Sequence, residues 1–156
     1  METLNFPSID AEIKISDEGQ AQIFDRIRRQ WVALTPEEWV RQHVIAYLVD
    51  YLNYPAALME VEKGLKSYIG KGRTDILVRN RKLQPLLLVE CKAPSVKLNQ
   101  KSLEQLFQYN LEYKAPILLL TNGLIHYCIS IDFVNHDTRV LSQIPPYHSE
   151  TSEQNI

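Results

Sequence analysis

The chain has 156 residues, 45% of them hydrophobic, and a net charge of −2, which is the size and apolar content of one compact domain, read here as a single domain over 1–156. No apolar run approaches the ~18 residues that span a bilayer, and the N-terminus METLNFPSIDAEIK has no basic stretch followed by an apolar one, so neither a membrane span nor a secretory signal is expected. The two cysteines, Cys91 and Cys128, are far apart without CxxC spacing, and the four His have no ligand-like spacing with them; a disulfide framework and a zinc site are unsupported, and the cytoplasm is the expected compartment.

Residues 1–34 read as an N-terminal extension packing on the domain. AEIKIS alternates like a strand, Asp17-Glu18-Gly19 is a turn, and Ala21 to Leu34 reads as a second strand or a short helix. Thr35-Pro36-Glu37-Glu38 starts a helix, with Thr as N-cap, Pro first and Glu third. Val40, Val44, Tyr47, Leu48, Tyr51 and Leu52 then recur at helical spacing until Asn53-Tyr54-Pro55 ends the run.

Ala57 to Leu65 is a strand, and Gly70-Lys71-Gly72 a turn. Thr74 to Arg79 and Pro85 to Lys92 form an antiparallel hairpin around Asn80-Arg81-Lys82. The run Leu86 to Val89 does not alternate, which predicts burial on both faces. Asn99 to Tyr113 is a second helix with Leu103, Leu106, Phe107 and Leu111 on one face. Strands at Pro116 to Leu120 and Leu124 to Ile131 flank the turn Thr121-Asn122-Gly123. The remainder is polar, and 149–156 is expected to be a frayed tail. This order predicts a mixed α/β fold, a central mixed β-sheet flanked by helices.

The chemistry sits on the hairpin. If it is symmetric about positions 82 and 83, cross-strand partners sum to 165 and Asp75 faces Glu90, on one face of the sheet with Lys92. Facing carboxylates repel, and Glu90 closes an apolar run where a bare charge is costly. A hard divalent ion such as Mg2+, with Mn2+ as substitute, resolves both problems. It can acidify a bound water and neutralise charge on a phosphate, and Lys92 can orient that water or stabilise a pentacovalent phosphorane. The competing reading is a surface salt bridge, common and weak.

Charge is uneven along the chain. Lys63 to Lys101 holds ten basic residues against Asp75 and Glu90, net +8, leaving the rest at −10. This asymmetry fits either a face for a polyanion, with Lys71, Arg73, Lys97 and Lys101 as nucleic-acid contacts, or a solvated basic hairpin.

Asp, a spacer, then Glu-x-Lys closing a hydrophobic strand resembles the PD-(D/E)XK phosphodiesterase superfamily, with its restriction-endonuclease-like core. The ordered blocks TPEEWVRQ, GRTDILV, LLLVECKAP, QLFQYN and LLLTNG, over residues 24 to 132, resemble more closely the N-terminal nuclease domain of type I restriction enzyme R subunits, in particular its short stand-alone members. The resemblance implies metal ligands at Asp75 and Glu90, with the Cys91 backbone carbonyl as a third, and a catalytic Lys92. It also implies a QxxxY pair, Gln105 and Tyr109, contacting the scissile-strand backbone or supporting Lys92; the alternative is a core Tyr109 and a solvated Gln105. Members of the superfamily place an acid on the first helix near the metal. Glu38 fills that role or, slightly favoured, only the capping box. Glu62 is the better of Glu60 and Glu62 to face the site, with an exposed acid the favoured reading.

The superfamily's Pro before the Asp is Thr74 here, and no GxxxxGK[ST] phosphate loop occurs, so the ATP-driven motor of a full R subunit is not expected. Cys91, between Glu90 and Lys92, should point to the opposite face as a small core residue. Trp31 and Trp39 read as packing residues, and Ser-His-Asp or Cys-His catalysis has no motif.

The leading expectation is a Mg2+-dependent endonuclease acting on DNA, alone, as a homodimer or in a larger restriction-type complex. The alternatives are a nucleic-acid-binding or docking module of the same fold, weak or inactive in catalysis, and a structural subunit with Asp75, Glu90 and Lys92 as a buried ion network.

Overall fold

The computed structural model describes residues 1–64 and 73–148. The turn at Gly70–Gly72, Lys71 and the tail 149–156 lie outside the described residues.

Three strands, β1 (Ile13–Ile15), β2 (Ala21–Asp25) and β3 (Gln30–Ala33), form an antiparallel sheet. The stretch 21–34 is thus two strands, neither one long strand nor a helix. Asp25 makes the reversal between them, its Oδ1 accepting from the backbone N–H groups of Ile27 and Arg28. Helix α1 (Pro36–Ala46) begins as the sequence predicts, the Thr35 hydroxyl accepting from the Glu38 N–H at 3.0 Å. It runs into a wider, π-type turn over Tyr47–Tyr51. That turn breaks the helical spacing, so Leu48 stays buried while Tyr51, expected on the apolar stripe, is exposed.

The second sheet has six strands in the order β4-β5-β6-β7-β8-β9. They are β4 (Met59–Gly64), β5 (Arg73–Arg79), β6 (Pro85–Cys91), β7 (Ile117–Thr121), β8 (His126–Asp132) and β9 (Asp137–Leu141). All neighbours are antiparallel except β6 and β7, whose parallel pairing requires the crossover that α2 (Gln100–Tyr113) supplies. The sheet is therefore mixed and the fold α/β. The predicted register holds at Ile76↔Val89, Leu77↔Leu88 and Val78↔Leu87, and shifts only at a bulge beside the turn, where Arg79 pairs with Pro85. The polar C-terminal remainder hides β9. Its residues are mostly exposed because it is an edge strand, so it lacks the apolar signal of the others.

The sheet carries an apolar layer on each face. Ile76, Val78, Leu87, Val89 and Cys91 pack with Val40, Val44 and Ile45 of α1 and Leu48 of the π-type turn. Leu77, Leu88, Leu118 and Leu120 pack with Leu98 and Leu106 under α2. Both faces of β6 are buried, as its unbroken apolar run requires, each such side chain contributing about 1.5–3 kcal/mol. Leu111 is exposed; the inward position one residue earlier goes to the buried Asn110, whose amide donates to the Ala115 carbonyl and accepts from its N–H. The N-terminal residues join the first layer through Leu4, which lies over Gly123. Gly123 has φ +85 and a Cβ there would stand 2.8 Å from the Leu4 side chain, so the turn before β8 needs glycine. No helix of the described residues is long and apolar enough to cross a membrane.

Candidate active site

Asp75 and Glu90 are the next positions outward from the Ile76↔Val89 pair, and β6 ends one residue after Glu90. Both are buried, each 7% exposed. The Asp75 Oδ2 accepts from the Cys91 backbone N–H at 2.7 Å, which ties β5 to the end of β6. Lys92 Nζ donates to Glu90 Oε1 at 2.7 Å. The three residues meet where strand alternation predicts. Among the described residues, the buried Glu90 Oε2 has no hydrogen-bond partner. Burial, and then the Asp75 carboxylate, push the Glu90 carboxyl up to about 8 against the pull of Lys92. The Lys92 ammonium, opposed by burial, is held charged by Glu90 and Asp75, its pKa above the ordinary lysine value. The Cys91 side chain points into the α1 layer, and burial raises its thiol well above the usual range, so it is an inert core group.

The sequence reading missed Arg41. This arginine is 3% exposed and sits one helical turn from Glu37 and Glu38. Its Nε donates to Asp75 Oδ1 at 3.2 Å, and its Nη2 donates to the same oxygen. Nη1 donates to Glu38 Oε2 and Nη2 to Glu37 Oε1, with Glu62 Oε1 3.6 Å from Nη1. Burial opposes the charge, but Asp75 and Glu38 raise its pKa. The signal was present as an acid-to-Arg spacing of three and four along one helix, overshadowed by the apolar stripe.

Arg28 extends the network. It donates to Asp25 Oδ2 at 2.6 Å, Glu38 Oε1 at 2.7 Å and Glu62 Oε2 at 3.0 Å. A chain of charged groups thus runs from the β2–β3 reversal through Glu38 and Arg41 to Asp75. Glu38 does not close the capping box with its carboxylate. That group is taken by Arg28, Arg41 and the Gln42 amide. Glu37 is the helix acid that feels the site: burial and then Asp75 raise its carboxyl, and Lys92 and Arg41 lower it. Glu62, favoured as an exposed acid, is instead half-buried and engaged by Arg28, because its backbone turns to φ +52 within β4. Glu60 pairs with Arg79.

Gln105 and Tyr109 bond to each other, Nε2 to the phenol oxygen at 2.9 Å, one turn apart on α2. Gln105 is exposed and Tyr109 is partly buried against the α2 layer, and among the described residues they bond to each other rather than to Asp75, Glu90 or Lys92. Lys97 and Lys101 are exposed, just before α2 and in its first turn. Lys71 and the Arg73 side chain lie outside the described residues. Trp39 packs on the first layer, and Trp31 stacks edge-on against Phe24 under Lys14.

The donor set fits a divalent ion. Among the described residues no group of three or more His, Cys, Asp or Glu converges as ligands. Mg2+, however, commonly takes one or two carboxylates and keeps waters. The buried, unpartnered Glu90 oxygen beside a second carboxylate is such a pair.

Residues 36–145 match the family described as type I restriction enzyme R protein N terminus (HSDR_N). No curated protein matches the chain. Among solved structures, the fold is similar to a fragment of a putative HsdR subunit of a type I restriction enzyme from Vibrio vulnificus YJ016, with TM-score 0.50 and 20% identity over 72% of this chain. The match covers 24% of that fragment, so this chain spans about a quarter of its length. The family match takes in Asp75, Glu90, Lys92, Gln105 and Tyr109 and well over half of the sequence, and the chain belongs to the family of type I restriction enzyme R protein N termini.

Proposed function

We propose that this domain is a metal-dependent phosphodiesterase of the PD-(D/E)XK kind that hydrolyses the DNA backbone. The observation that carries the reading is the buried Glu90 carboxyl, with one oxygen on Lys92 and the other without a partner, beside Asp75. Ionised, a carboxyl so placed is costly, and the metal-free fold relieves the cost by keeping a proton that a bound cation would displace. Asp75 and Glu90 would hold Mg2+ or Mn2+, with the Cys91 carbonyl as a further ligand. The chemistry such an ion supplies is Lewis acidity towards water and towards a phosphate oxygen.

The chain's own groups do the rest. Lys92 has three donors and spends one on Glu90. Its others are available to a phosphate oxygen on which charge builds as water attacks phosphorus and the P–O bond breaks. Lys97 and Lys101, exposed beside α2, would hold flanking phosphates, and Gln105 with Tyr109 would contact the strand being cut. Such contacts read no bases, so the affinity is salt-dependent and largely sequence-independent. Membership of the R protein family supports work within a restriction-type complex.

The Arg41–Asp75 and Lys92–Glu90 pairs also favour a second reading, a docking module whose carboxylates are satisfied by ion pairs. Cleavage of supercoiled, linear and single-stranded DNA with Mg2+ or Mn2+ separates the two. Wild type should cut, and Asp75→Ala and Lys92→Ala should each lose at least about 100-fold in rate. No cleavage at high protein with salt-sensitive DNA binding intact would move the assignment to the docking module.

A further inference from the structure

Asp75 and Glu90 together offer eight lone-pair sites, two on each carboxylate oxygen, and the hydrogen bonds show which are taken. On Asp75, Oδ1 accepts from both Nε and Nη2 of Arg41, so its sites are filled. Oδ2 accepts from the Cys91 N–H and retains one site. On Glu90, Oε1 holds Lys92 Nζ and retains one site, and Oε2 is buried without a partner among the described residues. The oxygens with a site left for a cation are therefore Asp75 Oδ2, Glu90 Oε1 and, with both of its sites, Glu90 Oε2. A carboxylate that bridges two metal ions gives one oxygen to each, and Asp75 has given one of its oxygens to a guanidinium.

Arg41 cannot easily let go. It is 3% exposed, Glu38 and Glu62 flank its Nη1, and Glu37 accepts from Nη2 beside Asp75. Glu38 is in turn fixed by Arg28, which is anchored on the fully buried Asp25. The guanidinium is a rigid planar fork that stays charged at any working pH.

We propose that Arg41 is the built-in second cation of the site: by occupying Asp75 Oδ1 it fixes the carboxylate's orientation and limits the centre to a single divalent ion. Arg41 is thus a positioning residue. The inference rests on the reading of Asp75 and Glu90 as metal ligands and goes beyond it in setting how many ions they take.

The test is a titration of the full chain with Mn2+, followed by electron paramagnetic resonance, which reads stoichiometry and spin coupling independently of cleavage. Wild type should bind one Mn2+, with the spectrum of an isolated ion. Arg41→Gln should take up a second Mn2+ and show the exchange-coupled spectrum of a pair. Because Arg41→Gln leaves Glu38 Oε2 without its guanidinium partner and can fail to fold, the double variant Arg41→Gln/Glu38→Gln, which removes one charge of each sign, is measured beside it with the same expectation. Two coupled ions in wild type would overturn the proposal and leave the nuclease reading standing. One ion in wild type and still one in the folded Arg41 variants would also overturn it, since something else then limits the centre. No Mn2+ bound by wild type would remove the metal-ligand reading and this proposal with it.

Discussion

At the scale of single residues, the sequence shows most of the site chemistry but not its counter-charges. Asp75, Glu90 and Lys92 follow from hairpin arithmetic, because strand alternation and cross-strand register are rigid rules. Arg41 does not, because a helix packed at an unknown rotation does not reveal which of its polar residues will be buried. Glu90 has a pH signature. Its carboxyl, ordinarily near 4.5, is pushed up to about 8 in the metal-free fold, by burial and then Asp75. The folded state therefore keeps a proton that the unfolded chain releases between those values. The stabilising contribution is full below about pH 4.5 and is lost as pH rises to about 8. In chelator, wild type should lose on the order of a few kcal/mol more than Glu90→Gln across this range. Urea unfolding at a series of pH values checks this, and parallel curves for the two proteins would refute it.

Among elements, caps and turns that carry a Thr-Pro or Gly signal are legible in the sequence, and element ends are not. Thr35 caps α1 as its sequence pattern requires, and Asn99 caps α2 by accepting from the Ser102 N–H. The reading failed at the β2–β3 reversal, where Asp25 makes the turn with no Gly or Pro to announce it. It failed again at α1's end, where a π-type turn shifts the spacing, and at β9, where an edge strand needs little apolar sequence. The end of α2 depends on one side chain. Asn110 is buried and satisfies both the N–H and the carbonyl of Ala115, just past Lys114 in the left-handed region at φ 52. Asn110→Ala should cost about 1–3 kcal/mol, because two backbone groups lose their partner where water is excluded. Chemical denaturation measures it, and a loss below about 0.5 kcal/mol, the scale of an ordinary surface change, would contradict the assignment.

For the whole molecule, the mixed sheet with a helix layer on each side places two carboxylates at the outward end of the central hairpin, where an apolar run stops. The fold was legible because β6 is buried on both faces and its hairpin has one sensible register. What the charge distribution does was less legible, since a count along the chain does not show which basic residues are paired with acids, as Arg79 is with Glu60. The proposed function requires the buried Glu90 to hold a cation. Calorimetric titration with Mn2+ tests it most directly, comparing wild type with Glu90→Gln, a substitution that keeps the shape and removes the charge. Wild type should bind measurably, and the variant should lose at least tenfold, about 1.4 kcal/mol, while remaining folded. Equal affinity in the two proteins would contradict it and return Asp75, Glu90 and Lys92 to a purely structural ion network.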